Sequence, residues 1–406
     1  MKVPQFIKNL YIRYFVPVQK GKCLFIPHDG FCMNDKASII NKNADNCLIF
    51  ARYILDNGLY KDKELVIVST TPECAQVEEK WCQKHYPDAN VHIISLNQHL
   101  IKENWLRSEY VFSSETKFPY SKYSRDQHYI VLAYYSVALK NDYFAEGGSR
   151  LPNRVKWAQA TDMIVSSSLI HSQIDSSAYS LSFKKYNRIG ICRSDALLKE
   201  EDMSYVKKYF KNLCGDYKFS KILLYVPTYR DYEISAEDAN RFILGFEMNK
   251  NQFGQFLRDN ELLVVCKLHP CQNTQAIKKE LPEGIVLFQG SEDFGLTELM
   301  KVSDMLITDY TSAYVDYLLL DKPVLFNFYD LEQYEKTRGL SFHPIERICA
   351  GDIFRDEKSF YNAVSETLSD PGKYSDKRKE MVEYLNTYHT DVCAKTYQTV
   401  FSNNQG

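Results

Sequence analysis

The chain has 406 residues, more than one ordinary hydrophobic core accommodates and suited to two domains of about 200 residues each. Fifty Lys and Arg against 52 Asp and Glu leave a net charge of −2, which argues against a general nucleic-acid binder. Eleven cysteines, an odd number without a C-x-x-C pair, argue against zinc and disulfide frameworks. With no leader-like stretch and no apolar run near the roughly 18 to 20 residues of a bilayer span, the chain reads as cytoplasmic.

Residues 1–22 set Phe6, Ile7, Leu10, Tyr11, Tyr14 and Phe15 at helical spacing, and their only charges are Lys2, Lys8, Arg13, Lys20 and Lys22. Such a segment packs on its own domain or lies on an anionic membrane surface, and both readings stand. Residues 23–195 then alternate strands and helices. A short apolar strand at 23–27 delivers His28, Asp29 and Gly30 into a loop. A helix at 46–55, a strand at 65–69, a helix at 73–86 and strands at 91–96, 110–112, 128–133 and 162–166 follow. Strands separated by single helices predict a parallel sheet with right-handed crossovers. Residues 188–195 read as the passage between domains, with Arg193 facing a cleft and Asp195 beside it; a surface Arg–Asp pair is the plainer alternative.

The second domain, 196–380, opens on a charged helix at 199–211. A strand at 221–226 ends in Pro227, Thr228, Tyr229 and Arg230, and a strand at 262–266 delivers Lys267, Leu268, His269 and Pro270. A strand at 285–288 and a helix at 295–302 lead to a strand at 305–307 that stops at Thr308, Asp309, Tyr310, Thr311 and Ser312. A helix at 313–320, the break at Asp321, Lys322 and Pro323, and a strand at 324–326 complete the unit, and the tail, 381–406, reads as helical. In open parallel sheets ligands sit where strand C-termini meet helix N-termini. Thr311 and Ser312 stand there, to cap the helix, to hold a phosphate, or both. A lone His or Arg after a strand is usually structural or solvated. Several cationic and donor clusters at successive strand ends of one sheet repel one another unless an anion joins them.

Residues 308–339, TDYTSAYVDYLLLDKPVLFNFYDLEQYEKTRG, resemble the signature of the CDP-glycerol glycerophosphotransferase family, the teichoic-acid primases and polymerases. That signature runs T-D-Y-S-S, a Phe-Asp pair, K-P before a strand, and Y-x-x-x-R-G. The family's P-T-[FY]-R and basic-x-His-Pro elements stand here at 227–230 and 267–270, and its G-x-P-R-N-D keeps Gly190, Arg193 and Asp195. The resemblance is strong over 185–340 and weaker elsewhere. It implies an α/β fold of two doubly wound, Rossmann-like domains in a GT-B-like arrangement, with the nucleotide donor on the C-terminal side of an interdomain cleft. The last helix of such folds returns to the first domain.

The resemblance also implies the reaction: glycerol phosphate or ribitol phosphate moves from a CDP-glycerol or CDP-ribitol donor to a hydroxyl, and CMP leaves. The acceptor would be a lipid-linked glycan or surface polymer, of teichoic-acid or capsule type, met at the inner face of the membrane. On that reading His269, Lys267 and Arg338 take the pyrophosphate, with His269 also placed to protonate or neutralise the leaving phosphate. Thr308, Thr311 and Ser312 hold phosphate oxygens, and Thr228, Arg230, Asp309 and Gly339 complete the donor site. No D-x-D cluster at a strand end calls for a metal, and Mg²⁺ on the pyrophosphate stays open.

One departure stands out. The family's first domain carries W-H-G-x-P-L-K, whose His is placed to take the acceptor's proton. The local counterpart keeps Leu139 and Lys140 but has Tyr135 for the His and Ser136 for the Gly. A tyrosine with an ordinary pKa of about 10 is a poor base at neutral pH, so either His28 or Asp29, at the end of the first strand, serves as base, with His28 the expected one, or the chain uses a different acceptor. Two other classes stay open. A nucleotide-sugar glycosyltransferase of the same fold would call for a Glu on the C-terminal side, and the 308–312 loop has none. A non-catalytic nucleotide-binding relative would fit the missing His.

Overall fold

The computed structural model describes residues 7, 11, 15–27, 38–40, 45–115, 126–141, 158–228, 230, 244–246, 248–268, 281–291 and 294–402. His28, Asp29 and His269 lie outside the described residues. The first half contains β1 (Gln19–Ile26), α1 (Asn46–Asp56), β2 (Glu64–Ser69), α2 (Pro72–His85), β3 (Asn90–Ser95), α3 (Gln98–Arg107), β4 (Ser108–Ser113), β5 (His128–Val131), β6 (Met163–Ser166), α4 (Leu169–Tyr179) and β7 (Tyr186–Arg188). After α5 (Arg193–Leu198) and α6 (Ser204–Cys214) come β8 (Lys221–Val226), α7 (Lys250–Asp259), β9 (Leu262–Cys266), β10 (Ile285–Leu287), α8 (Leu296–Val302), β11 (Met305–Thr308), α9 (Ala313–Tyr317) and β12 (Val324–Asn327). The chain continues with α10 (Leu331–Thr337), β13 (Asp352–Phe354), α11 (Glu357–Ser369), α12 (Ser375–Leu385) and α13 (Val392–Phe401).

Two sheets form, in the orders β3-β2-β1-β4-β5-β6-β7 and β10-β9-β8-β11-β12-β13, with parallel pairing throughout. In each, the chain starts in the middle, builds outward one way and then returns to build the other way. The reversals fall between β1 and β4 and between β8 and β11, where open α/β sheets bind ligands beyond their strand C-termini.

Both faces of each sheet are apolar, as a helix-covered parallel sheet requires. In β1, Cys23 and Phe25 enter one core while Leu24 enters the other, and β2 and β4 repeat the alternation with Leu65 and Ile67 against Val66, and Phe112 against Val111. The second sheet does the same with Ile222, Leu224 and Val226 against Leu223 and Tyr225.

Several elements differ from the sequence expectation. β1 begins at Gln19, so Lys22 is a strand residue: it is buried and pairs with Glu64 at 2.7 Å. The 128–133 strand ends at Val131, because Ala133 turns the backbone to φ 56°. The charged helix starts at Ser204, where Asp202 accepts the Ser204 amide and hydroxyl and closes a turn ahead of it. The helix after the 308–312 loop is α-helical only to Tyr317 and tightens to 3₁₀ over Leu318–Leu320. Strands β7 and β13 have three residues each, too few for an alternating pattern to register.

The chain's tail ties the halves together. α12 places Met381 and Leu385 in the second sheet's core, whereas α13 places Val392, Cys393 and Val400 in the first sheet's core and sets the Phe401 ring 4.7 Å from Tyr110. Asp195 accordingly turns away from Arg193. Its carboxylate accepts the Val392 and Cys393 amides at 2.9 and 2.8 Å, the first unpaired donors of α13, which favour a negative charge. Gly190 has φ 104°, and a Cβ there would meet the Tyr388 carbonyl oxygen at 2.5 Å, so the returning chain requires glycine. No helix among the described residues is long and apolar enough to cross a membrane.

Candidate active site

The reversal of the second sheet brings the ends of β8 and β11 side by side, flanked by β9 and β12. Asp309, at the end of β11, is 1% exposed. It accepts the Thr228 amide and hydroxyl at 2.9 and 2.8 Å, its neighbour Tyr310's amide at 2.6 Å, and Nη1 of Arg230 at 2.6 Å. The rest of the Arg230 fork goes to Asp330 at the end of β12: Nε donates at 2.8 Å and Nη2 at 3.0 Å. The rings of Tyr310, Tyr329 and Tyr334 stand 5.1 to 5.4 Å from the guanidinium carbon. Burial works against the Arg230 charge, yet Asp309 and Asp330 outweigh it and hold the guanidinium's pKa above its ordinary value. The Tyr310 hydroxyl, which donates to Asp330 at 3.2 Å, is pushed up first by burial and then by the two carboxylates, and stays neutral.

This arrangement changes how four expected donor-site residues act. Thr228, Arg230 and Asp309 spend their polar atoms on one another, and the Thr308 hydroxyl donates to the Val226 carbonyl at 3.2 Å inside the sheet. The structure places them in a buried frame beneath the loop, because unpaired polar groups at this depth would be costly. Thr311 and Ser312 are different: both are half-buried at the loop's top. Thr311 accepts the Ala313 amide at a long 3.3 Å, and Ser312 makes no side-chain capping bond to α9. Lys267 is half-buried at the end of β9, its amide bound to the Tyr225 carbonyl at 2.9 Å. Lys322 of the K-P pair instead caps α8, donating to the Lys301 and Ser303 carbonyls at 2.6 and 2.8 Å.

A piece of the first half completes the site. Beyond β5, Val137 and Leu139 enter the core of the second sheet. Lys140 bridges Leu340 in antiparallel fashion, the Asn141 amide donates to the Gly339 carbonyl at 3.1 Å, and the Ser341 amide donates to the Leu139 carbonyl at 2.9 Å. Gly339, at φ 75°, leaves no room for a Cβ against the Asn141 side chain. Lys140 therefore lies alongside Arg338 and Gly339, two regions some 200 residues apart (Ser341 and Lys140 are separated by 201). Tyr135 directs its hydroxyl to that of Tyr179 at 3.1 Å. Arg193 ion-pairs with Asp316 at 2.6 Å, and Ser136 donates to the same carboxylate. Sequence reasoning missed Asp330 as the partner of Arg230. Its place at the end of β12, level with the other loops, was the available signal.

The family model for CDP-Glycerol:Poly(glycerophosphate) glycerophosphotransferase matches residues 42–402, nearly all of this geometry. The chain belongs to that family. Among its relatives, the teichoic acid glycerol-phosphate primase of Bacillus spizizenii is 38% identical over 161 residues, 40% of this chain and 38% of that protein. The teichoic acid ribitol-phosphate primase of the same organism is 29% identical over 224 residues, 55% of this chain and 54% of that protein. The matched stretch thus spans about half or less of these relatives' length. Among solved structures, the wall teichoic acid polymerase TagF superposes with a TM-score of 0.71 at 18% identity, covering 96% of this chain and 90% of that one. A UDP-GlcNAc 2-epimerase from Neisseria meningitidis, bound to UDP-GlcNAc, gives a TM-score of 0.56 at 12% identity over 94% of this chain and 100% of that one. These likenesses establish the fold as GT-B-like. Within the family's pattern, the TDYTS loop, P-T-Y-R and Y-x-x-x-R-G are three parts of one assembly at the β8/β11 reversal.

Proposed function

We propose that the chain transfers a polyol phosphate, glycerol phosphate or ribitol phosphate, from a CDP-activated donor to a hydroxyl of a teichoic-acid-type acceptor and releases CMP. The observation that carries this reading is the 308–312 loop, framed from below by Asp309, Arg230 and Asp330 so that Thr311 and Ser312 stand at its top, in a chain of this family. The acceptor oxygen forms a bond to the phosphorus that bears the polyol. The bond from that phosphorus to the bridging oxygen breaks, and its electron pair leaves with CMP. The acceptor's proton passes to a base. Fixed donors aimed at the charge that develops are the main catalytic resource in such transfers.

Thr311 and Ser312 supply hydroxyls to the phosphate oxygens, and Lys267, Arg338 and His269 supply positive charge to the pyrophosphate, with His269 neutralising the leaving phosphate. Thr228, Arg230, Thr308 and Asp309 act through the loop they brace. His28, with Asp29, takes the acceptor's proton. Ile7, Tyr11 and Phe15, exposed at successive helical turns, support contact with the membrane that carries a lipid-linked acceptor.

The test is CMP release from CDP-glycerol and from CDP-ribitol with lipid-linked acceptors, with and without Mg²⁺. Acceptor-dependent release that collapses in Lys267→Ala and Arg338→Ala is the expected result, and no release with either donor overturns the reading. The Tyr135–Tyr179 hydroxyl pair, standing where the family places its His, favours one other reading, a donor-binding relative without turnover. Calorimetric binding of CDP-glycerol without CMP release would select it.

A further inference from the structure

Asp316 joins the two halves through side chains, between the segment after β5 and the loop after β11. It lies on α9, four residues beyond Ser312 and so about 6 Å along the helix axis from the loop top. Although 4% exposed, it is a carboxylate, and such a group persists at that depth only with firm partners. One oxygen accepts the hydroxyl of Ser136, itself fully buried, and the other accepts Nη2 of Arg193 at 2.6 Å. Arg193 passes the link on: Nη1 donates to the Tyr134 carbonyl at 3.3 Å, and its amide donates to Asn46 Oδ1 at 2.9 Å. Asn46, also buried, donates to the Ala133 carbonyl at 2.6 Å. Residues 133–136 are thereby gripped from three helices, at the place where Ala133 holds a left-handed backbone that a non-glycine residue adopts only when its surroundings impose it. Downstream, 139–141 pairs with 339–341 beside Arg338.

We propose that Asp316 is a positioning residue for the transfer, an inference that rests on the reaction proposed above. Through Ser136 and Arg193 it sets the acceptor-side turn, 133–141, at a fixed distance from the donor-side loop, 308–312. The family signature has glycine where this chain has Ser136, and a glycine there would lack the Ser136 half of the link. Misplacing reacting groups by about 1 Å is enough to lower turnover on the order of 100-fold while leaving donor contacts intact.

The experiment uses the full chain and compares wild type with Asp316→Asn and with the apolar replacement Arg193→Met/Asp316→Leu, which removes both charges without orphaning either. Three quantities are read: CMP release, CDP-glycerol affinity by calorimetry, and amide hydrogen exchange over 133–141. Asp316→Asn should lower turnover about 100-fold, change donor affinity less than about 3-fold and speed exchange over 133–141. The double variant should fold and still turn over slowly. A double variant with wild-type turnover overturns the proposal, as does an Asp316→Asn protein whose affinity and turnover fall in equal proportion. Exchange reports the link without any chemistry: wild type that releases no CMP overturns the transfer reading, and unchanged exchange in Asp316→Asn overturns the link.

Discussion

The loop after β11 and the segment after β5 are both strand-end connections of parallel sheets, yet they are stabilised in opposite ways. The 308–312 loop is braced from within its own sheet: Asp309 grips Thr228 and Arg230 from β8, and Arg230 reaches Asp330 beyond β12. The 133–141 segment is braced from outside, by Asp316, by the second sheet's core around Val137 and Leu139, and by pairing with Leu340. The 308–312 loop therefore takes its shape from its own sheet, and the 133–141 segment takes its shape from the junction. A self-braced loop suits a constant ligand such as a nucleotide diphosphate. A junction-braced segment can change between relatives without unsettling that site, and it is here that this chain departs from the family's W-H-G.

The contrast breaks most sharply at Arg230. Arg230→Ala leaves Asp309 and Asp330 buried without their shared cation and should cost about 3–5 kcal/mol of stability, with donor binding lost as well. A melting temperature within a degree of wild type would refute self-bracing. Next come Thr311→Ala and Ser312→Ala. Each removes one hydroxyl from a charged ligand and should weaken CDP-glycerol binding by about 1.5–3 kcal/mol with little change in melting, read by calorimetry and thermal denaturation. A parallel loss of stability would move these hydroxyls from ligand to frame.

Asp195→Ala tests the junction from its far side. It strips α13 of its capping carboxylate and should cost about 0.5–2 kcal/mol, with faster amide exchange in α13 and none of the affinity loss seen for Ser312→Ala. The smallest effect is a control on α2, remote from both loops. Burial raises the pKa of Glu78 above its ordinary 4.5, against the opposing pull of the nearby Ser38 and Ser69 hydroxyls. A raised acid favours the folded state fully below 4.5, and that contribution is lost as pH rises through the folded-state value. Glu78→Gln should therefore melt slightly higher than wild type at pH 7, by about 1–2 °C, and the difference should vanish near pH 4.

Much of this molecule is legible in one dimension. The alternation of strands and helices, the parallel sheets and the loops at 227–230 and 308–312 all follow from local apolar runs, their spacing and the polar residues that stop them. Strands β8 and β9 lie where the apolar runs place them, because a strand buried on both faces reads as a continuous hydrophobic stretch. What the side chains at those loops do is settled only by packing. Arg230 looks like a phosphate ligand until Asp330, 100 residues away, is brought beside it, and Ser136 looks like a lost glycine until Asp316, 180 residues away, takes its hydroxyl. The physical reason is the same in both cases. A motif states which groups the backbone carries to a strand end, but whether a buried polar group faces a ligand or a neighbour depends on which partners the fold brings within about 3 Å of it.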